Sequence, residues 1–120
     1  MNLNQIGLPT LDVPASIAFY RCMGFSPVIE TEQYARFKSI QGDATFSLLA
    51  THGPVQPGVT VYFEVVGLDA VVSRLKSQGV VFEHDPKTQP WAWKEARLKD
   101  PSGNNLCLFE AGASRLFPTV

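Results

Sequence analysis

Hydrophobic and polar residues follow the same order twice along the chain. In the first half, a weakly alternating segment over residues 5–11 predicts a strand. Apolar residues then recur at Val13, Ile17 and Tyr20, which is the spacing of one face of a short helix. Alternating segments beyond Gly24 predict three further strands, at residues 25–30, 34–40 and 45–51. The first half therefore predicts the order strand, helix and three strands.

The second half repeats this order after a segment rich in glycine and proline over residues 52–58. A strand is predicted over residues 59–66, and the helical spacing returns at Leu68, Val72 and Leu75, each 55 positions beyond its counterpart. Further strands are predicted at residues 80–85, 91–99 and 105–110, with a proline-bounded loop at residues 86–90. The pattern favours a tandem pair of βαβββ modules. An ordinary α+β domain with two helices is the alternative.

A tight turn is predicted between the last two strands, at Asp100-Pro101-Ser102-Gly103-Asn104. Pro101 presets the backbone angle for the second position of a type I turn, and Gly103 tolerates a positive φ. Asp100 can accept hydrogen bonds from the amides of the turn. The last two strands are therefore expected to form a hairpin with one buried face.

Composition limits the class of protein and its partners. The chain has 120 residues, of which 45% are hydrophobic and 18% charged, values typical of a single soluble globular domain. Its net charge of −1 and its lack of basic runs argue against a nucleic-acid surface. No apolar run reaches the roughly 20 residues that span a bilayer, and no signal peptide is expected. Two cysteines do not predict a disulfide framework, so a cytoplasmic location is expected.

Two segments resemble motifs of a known superfamily. Residues 11–20 (Leu-Asp-Val-Pro-Ala-Ser-Ile-Ala-Phe-Tyr), followed by Met23-Gly24-Phe25, are similar to its first helix, and residues 100–104 are similar to its Asp-Pro-x-Gly-Asn turn. Together with the internal repeat, they resemble the vicinal oxygen chelate superfamily. That superfamily includes glyoxalase I, bleomycin-resistance proteins, fosfomycin-resistance proteins and extradiol dioxygenases. The resemblance covers nearly the whole chain.

The resemblance implies an α+β fold in which two tandem βαβββ modules form a curled, eight-stranded mixed sheet around a cleft, with the helices outside. The modules would occupy residues 1–51 and 59–111 of one domain over residues 1–120, with a linker at 52–58 and a C-terminal tail at 112–120. Members of the superfamily often form homodimers, so a homodimer is expected. The sequence leaves open whether the modules pair within one chain or between two.

The resemblance also implies four positions at which metal-dependent members hold their ion, and here they carry Gln5, Ser47, Thr60 and Cys107. A divalent cation needs three or four His, Asp or Glu ligands, and this set offers an amide, two neutral hydroxyls and one soft thiol. No metal or other cofactor is therefore expected, although a degenerate divalent metal site is left open. His52 and His84 are expected to be exposed or hydrogen-bonded rather than ligating.

Strand alternation assigns side chains to the predicted cleft. If Leu106 and Leu108 pack beneath the helices, the neighbouring positions on each strand face the other way. The expected ligand-binding residues are Tyr34, Arg36, Tyr62, Glu64, Trp91, Trp93, Glu95, Arg97 and Phe109. Aromatic walls with a few charged groups are typical of small-molecule pockets. The alternative is that Glu95–Arg97 and Glu64–Arg36 neutralise each other, while the rings fill a core or a dimer interface.

Three functions remain open. The leading hypothesis is a metal-independent binder of a small organic molecule, of the bleomycin-resistance type, with no catalytic residue. The second is a lyase or dioxygenase whose metal is held by Gln5 with Glu64, Glu95 or Cys107. The third is a non-catalytic dimeric interaction module. Cys107 is expected to be a buried inert thiol, because no base is predicted beside it.

Overall fold

The computed structural model describes residues 1–56 and 58–118. The predicted linker and tail therefore extend outside the described residues at Pro57, Thr119 and Val120. Within the described part, the chain forms two ten-residue helices and eight strands. They are β1 (Gln5–Thr10), α1 (Val13–Cys22), β2 (Pro27–Glu30), β3 (Tyr34–Lys38), β4 (Thr45–Ala50), β5 (Thr60–Glu64), α2 (Leu68–Ser77), β6 (Lys87–Thr88), β7 (Lys94–Lys99) and β8 (Asn105–Glu110), followed by a 3₁₀ turn at Gly112–Arg115.

The strands form two four-stranded mixed sheets with matching topology. Their orders are β1-β4-β3-β2 and β5-β8-β7-β6, so each module pairs its first strand with its last. That pairing is parallel in both sheets, and the other pairings are antiparallel. The predicted α+β class and the tandem βαβββ order are therefore confirmed. Both helices are short, and within the described residues no helix has the length and apolar character that crossing a bilayer requires.

One predicted strand is wrong. Residues 80–85 are not a strand. The corresponding strand of the second module is β6, which has two residues and lies in the loop predicted at residues 86–90. Glu83 N–H donates to Arg97 O at 2.8 Å, but Val81 is exposed and the pairing does not extend. The run Val80-Val81-Phe82 misled the prediction, because a short apolar run does not by itself show alternation. The last strands of the two modules align at an offset of 60, whereas the helices align at 55.

The chain divides into two compact units. The first contains the described residues up to Gln56 together with the turn Asp100–Asn104, and the second contains Gly58–Lys99 and the described residues from Asn105 onward. In each unit one helix covers one face of the sheet, because its apolar stripe must be removed from water. In the second unit this layer is formed by Leu68, Val72, Leu75, Ala96, Leu98, Leu106 and Leu108, all buried.

The core of the first unit is a cluster of aromatic rings. Phe37 and Phe46 stack with centroids 5.1 Å apart, and Tyr20 and Phe25 lie against Phe46 at 5.0 and 5.1 Å. All four side chains are buried. Burying each such ring contributes about 1.5–3 kcal/mol. Asp12 begins α1 by accepting a hydrogen bond from Ala15 N–H at 3.0 Å, as expected of an N-cap residue.

The turn between β7 and β8 holds a buried carboxylate that is fully hydrogen-bonded. Asp100 Oδ1 accepts from Ser102 N–H and Asn104 N–H, both at 2.9 Å. Its Oδ2 accepts from the Tyr20 hydroxyl at 2.7 Å and from Asn104 Nδ2 at 3.0 Å. Burial, and then the charge of Asp100, raise the pKa of Tyr20 above its ordinary value, so its hydroxyl stays protonated and remains a donor.

Two further hydrogen bonds attach this turn to the end of β1. Leu11 N–H donates to Ser102 Oγ at 2.8 Å, and Asn104 Nδ2 donates to Pro9 O at 2.9 Å. The turn therefore belongs to the first unit, although the strands that it joins belong to the second.

Helix α2 begins without a capping side chain of its own. Gly67 occupies the N-cap position with φ 74°, and the carboxylate of Glu110 at the end of β8 takes the place of a cap. It accepts from Gly67 N–H at 2.9 Å and Leu68 N–H at 3.1 Å. These two amide bonds, Gly67 first, lower the pKa of Glu110. A negative charge is favourable here because the amino end of a helix carries partial positive charge.

Tyr20→Phe tests the contribution of the buried turn. The variant loses one hydrogen bond to a charged group and should lower the free energy of unfolding by about 1.5–3 kcal/mol. Asp100→Ala should lower the free energy of unfolding further, because it leaves several donors unpaired. Urea unfolding followed by circular dichroism measures both. Tyr62→Phe is the matched control on an exposed tyrosine and should cost less than Tyr20→Phe; equal losses for the two tyrosines would contradict this assignment.

Glu110→Gln tests the cap of α2 through its pH dependence. Because the folded-state pKa of Glu110 is lowered, its contribution to stability is present above the unfolded-state pKa and is lost as pH falls through the folded-state pKa. Glu110→Gln should therefore be less stable than the wild type at neutral pH. The difference should shrink as pH falls below the ordinary glutamate pKa of about 4.3 and through the lowered folded-state pKa, where Glu110 becomes neutral. Urea unfolding across this range checks the trend, and a pH-independent difference would contradict it.

Candidate functional site

Alternation places the predicted binding residues of the second unit on the face of the sheet that α2 does not cover, here called the helix-free face. Strand pairing sets Tyr62, Cys107 and Arg97 side by side in one row. The next row contains Glu64, Phe109 and Glu95. The predicted strand phase is therefore correct for β5, β7 and β8.

Three aromatic rings form a continuous cluster on this face. Trp93 and Phe109 stack with centroids 4.7 Å apart and an interplanar angle of 22°. Tyr62 meets both rings edge-on, at 6.0 Å from Trp93 and 5.6 Å from Phe109. Phe109 is buried, whereas Tyr62 is 42% exposed. The cluster thus has a buried base and an accessible edge.

A buried carboxylate lies beside the aromatic cluster. Glu95 is 1% exposed, and its Oε1 accepts from Arg97 Nη2 at 3.2 Å while its Oε2 accepts from Trp91 Nε1 at 2.9 Å. Arg97 Nη2 also donates to the Tyr62 hydroxyl at 3.0 Å, and its guanidinium lies 5.7 Å from the Tyr62 ring centroid. The Glu95–Arg97 ion pair considered from the sequence is therefore present. A buried carboxylate needs such partners to offset its desolvation.

Trp91 lies in the five-residue loop between β6 and β7, residues 89–93. Gln89 N–H donates to Trp93 O at 2.8 Å and Ala92 N–H donates to Gln89 O at 2.9 Å. Ala92 has φ 73°, a left-handed conformation that costs a non-glycine residue about 1–2 kcal/mol. This loop geometry carries Trp91 to the carboxylate of Glu95. Backbone strain of this kind is concentrated at functional positions.

Cys107 lies within the row between Tyr62 and Arg97 but is chemically quiet. Its side chain is buried. Burial, followed by the negative charge of Glu95, raises the pKa of the Cys107 thiol to about 12. The thiol is therefore protonated at neutral pH, and a protonated thiol is a poor nucleophile.

The helix-free face of the first unit carries a chain of polar side chains across three strands. Gln5 Nε2 donates to Ser47 Oγ at 2.8 Å, and the hydroxyls of Ser47 and Tyr34 share a hydrogen bond of 2.7 Å. Arg36 Nε donates to the Tyr34 hydroxyl at 2.9 Å, with its guanidinium 5.5 Å from the Tyr34 ring centroid. The bonds from Ser47 and then Arg36 lower the pKa of Tyr34.

The four family metal positions do not fit a divalent cation. Both ends of the Gln5 amide are engaged, since its Oε1 also accepts from the Thr45 hydroxyl. Ser47 and Thr60 offer neutral hydroxyls, and Cys107 offers a protonated thiol. Across residues 1–56 and 58–118, no group of three or more His, Cys, Asp or Glu side chains is placed to hold a metal ion.

The remaining predicted residues have partners that the sequence did not reveal. Glu64 forms an ion pair of 3.6 Å with Arg115, which lies in the 3₁₀ turn after β8. Arg115 was missed because it is 51 positions away and lies outside any periodic segment. His84 Nδ1 contacts Asp85 O at 2.7 Å, which agrees with a hydrogen-bonded surface role.

Solved structures with the same fold cover almost all of this chain. A bleomycin-binding protein complexed with bleomycin matches with a TM-score of 0.76 and 23% identity, over 92% of this chain and 98% of its own. A lactoylglutathione lyase from Agrobacterium tumefaciens matches with a TM-score of 0.76 and 23% identity, over 91% and 92%. A protein described as a conserved domain protein matches with a TM-score of 0.79 and 24% identity, over 92% and 99%. At these identities the likeness shows the fold alone.

A search of curated proteins found no significant match. The family model described as "Glyoxalase/Bleomycin resistance protein/Dioxygenase superfamily" matches residues 2–108, which is most of the chain. The resemblance seen in the first helix and in the Asp100–Asn104 turn is thereby confirmed. The chain belongs to the glyoxalase/bleomycin resistance protein/dioxygenase superfamily.

Proposed function

We propose that this protein binds a small organic molecule on the helix-free face of the second unit, without a metal ion. The observation that carries the proposal is the aromatic cluster of Tyr62, Trp93 and Phe109 beside the buried Glu95–Arg97 pair. Small-molecule sites combine apolar and aromatic walls with a few fixed polar groups. This face has both components, supplied by adjacent rows of one sheet.

The accessible rings supply the affinity in this proposal. Tyr62 is 42% exposed and Trp91 is 43% exposed, so both offer apolar area that a ligand can cover. Covering such area is favourable at roughly 25 cal/mol per Å², and stacked or edge-on ring pairs add about 0.5–1.5 kcal/mol. A planar, partly aromatic molecule would use these contacts best.

The Glu95–Arg97 ion pair fixes the orientation of two aromatic rings of the proposed site. Tyr62 and Trp91 are each held by a hydrogen bond to the ion pair, Tyr62 through Arg97 and Trp91 through Glu95. Their rings are therefore positioned before a ligand arrives, which reduces the entropy lost on binding. Arg97, which is partly exposed, can also donate to polar atoms of the ligand.

Catalysis is not part of this proposal. The metal-dependent alternative needs donors that the four family positions do not supply. Nucleophilic catalysis by Cys107 is disfavoured by the raised pKa of its thiol. Bleomycin is a reasonable first probe, because one structural relative is described as complexed with it.

We further propose that the protein acts as a cytoplasmic homodimer. Leu116 and Phe117 after β8, and Val28 and Ile29 on β2, are exposed apolar residues. Exposed apolar side chains of this size support a contact with a second copy. Light scattering during size-exclusion chromatography would measure the mass of the assembly.

Trp93→Ala tests the binding face. In the wild type, bleomycin or a member of a panel of planar aromatic amines, amides and acids should change the tryptophan emission of Trp91 and Trp93 saturably. Trp93→Ala in the wild-type background should weaken binding of the same probe by about tenfold or more, measured by calorimetry.

Phe117→Ala is the matched control, because it removes an exposed ring of the same unit that is not one of the three cluster rings. It should leave the affinity for that probe unchanged. Unaltered binding by Trp93→Ala, with its fold intact by circular dichroism, would overturn this placement of the site. Absence of any saturable response across the panel would remove the proposal itself.

Metal analysis tests whether the protein binds a divalent ion. The protein is incubated with excess Zn²⁺ or Ni²⁺, passed through a desalting column and analysed for metal content. Bound metal should be far below one equivalent per chain, and the midpoint of thermal unfolding should not rise with either ion, since a tightly bound ion would stabilise the fold. One equivalent retained by the wild type but not by Gln5→Ala would support the enzyme alternative instead.

A further inference from the structure

We propose that Arg36, on the helix-free face of the first unit, is a binding site for the carboxylate of a small molecule. The inference concerns a different unit and different residues from the ring cluster around Trp93, and it goes beyond the binding proposed there. It rests on how Arg36 is held, on the comparison of the two modules, and on the charge of the surrounding face.

Contacts with Tyr34 hold the Arg36 side chain in a fixed orientation. Its Nε donates to the Tyr34 hydroxyl at 2.9 Å, and its guanidinium carbon lies 5.5 Å from the Tyr34 ring centroid. Tyr34 is itself fixed by Ser47, which accepts a bond from Gln5. This chain of contacts engages Nε and leaves the Nη1 and Nη2 ends for a ligand. A guanidinium presents those two nitrogens as a fork that matches both oxygens of a carboxylate.

In the second module, the arginine equivalent to Arg36 pairs with a carboxylate of its own strand. Arg36 pairs with Ser47 as Arg97 pairs with Cys107, so the two arginines occupy equivalent positions. Each arginine donates to a tyrosine hydroxyl and lies over that tyrosine ring. Arg97 also has Glu95, two positions before it on the same strand, as its counter-ion.

At the position equivalent to Glu95, the first module carries Tyr34. Among residues 1–56 and 58–118, Arg36 forms no ion pair with any carboxylate. The module repeat therefore contains one arginine whose counter-ion is built into the strand and one whose counter-ion must come from outside the chain. A carboxylate on a small molecule would be the counter-ion of Arg36, as Glu95 is the counter-ion of Arg97.

The charge of the face favours an anion. Alternation places Lys38 on the same side of β3 as Arg36, and its Nζ donates to Ser39 O at 3.0 Å. The other side chains of the paired rows on this face of β1, β3 and β4 are uncharged: Gln5, Pro9, Thr45, Ser47, Leu49 and Tyr34. Glu30 on β2 is paired with Arg21 of α1. Within the described residues neither Arg36 nor Lys38 forms an ion pair, and two unpaired cations on one face attract an anionic group.

The lowered pKa of Tyr34 agrees with this electrostatic environment. The hydrogen bonds from Ser47 and Arg36 favour negative charge on the phenol oxygen. The geometry of the guanidinium carries the proposal.

Benzoate is the probe, with benzamide as its neutral isostere and phenylphosphonate as a second anion. Each is titrated into ¹⁵N-labelled protein, and the backbone and arginine Nε–H resonances are followed by NMR. Benzoate should shift the Arg36 Nε–H signal saturably, and benzamide should not. Arg36→Gln should weaken benzoate binding by about tenfold or more, because a charge-assisted bidentate contact is lost.

Lys38→Gln is the matched control, since it removes the neighbouring cation from the same face and strand. It should change the affinity by no more than about threefold, because it removes a screened charge and no direct contact. Arg36→Lys keeps the charge but loses the fork, and its affinity should fall between those of wild type and Arg36→Gln. The amide spectrum of each variant shows whether the fold is retained.

Three results would overturn the proposal. They are equal affinity of benzoate for wild type and Arg36→Gln, equal weakening by Lys38→Gln and Arg36→Gln, and no saturable shift with either benzoate or phenylphosphonate. Tighter binding of phenylphosphonate than benzoate would overturn the choice of a carboxylate. Benzoate binding at Arg36 should persist in Trp93→Ala, so a failure at one unit is distinguishable from a failure at the other.

Discussion

The buried carboxylate of Asp100 holds the turn between β7 and β8 against helix α1. Neutral donors satisfy both of its oxygens, two of them amides of its own turn and one the hydroxyl of Tyr20 in α1. A charge this well buried is tolerated only when its hydrogen-bonding capacity is filled. The requirement is met only if the turn lies against α1, which carries Tyr20. The motif that signals the family is thus also the structural tie of the first unit.

The two modules share a topology and have diverged in the chemistry of their sheets. At equivalent positions the first module has Tyr34 and Ser47, and the second has Glu95 and Cys107. The first face is therefore a polar network with a net positive charge. The second is a ring cluster around an internally neutralised ion pair. The two modules keep the same backbone frame, where packing tolerates little change, while their helix-free faces carry different side chains.

The sequence predicts what depends on local periodicity. Two stripes of apolar residues revealed both helices, and alternation placed Tyr62, Arg97 and Glu95 on one face, so their mutual contacts could be anticipated. It could not predict Glu110 as the cap of α2 or Arg115 as the partner of Glu64. Those contacts join residues that are 42 or more positions apart, and tertiary folding alone brings them together. Strand β6 was misplaced because its two residues pair through the backbone and carry no side-chain pattern.

The position of the Asp100–Asn104 turn also bears on how the protein is made. The Tyr20 hydroxyl and the carbonyl of Pro9 find their partners 80 and 95 positions later. During synthesis, the amino-terminal module leaves the ribosome before the partners of these two groups exist. Closing contacts over such separations is slow relative to local folding. The amino-terminal module therefore completes its hydrogen bonding only after the Asp100–Asn104 turn has been synthesised.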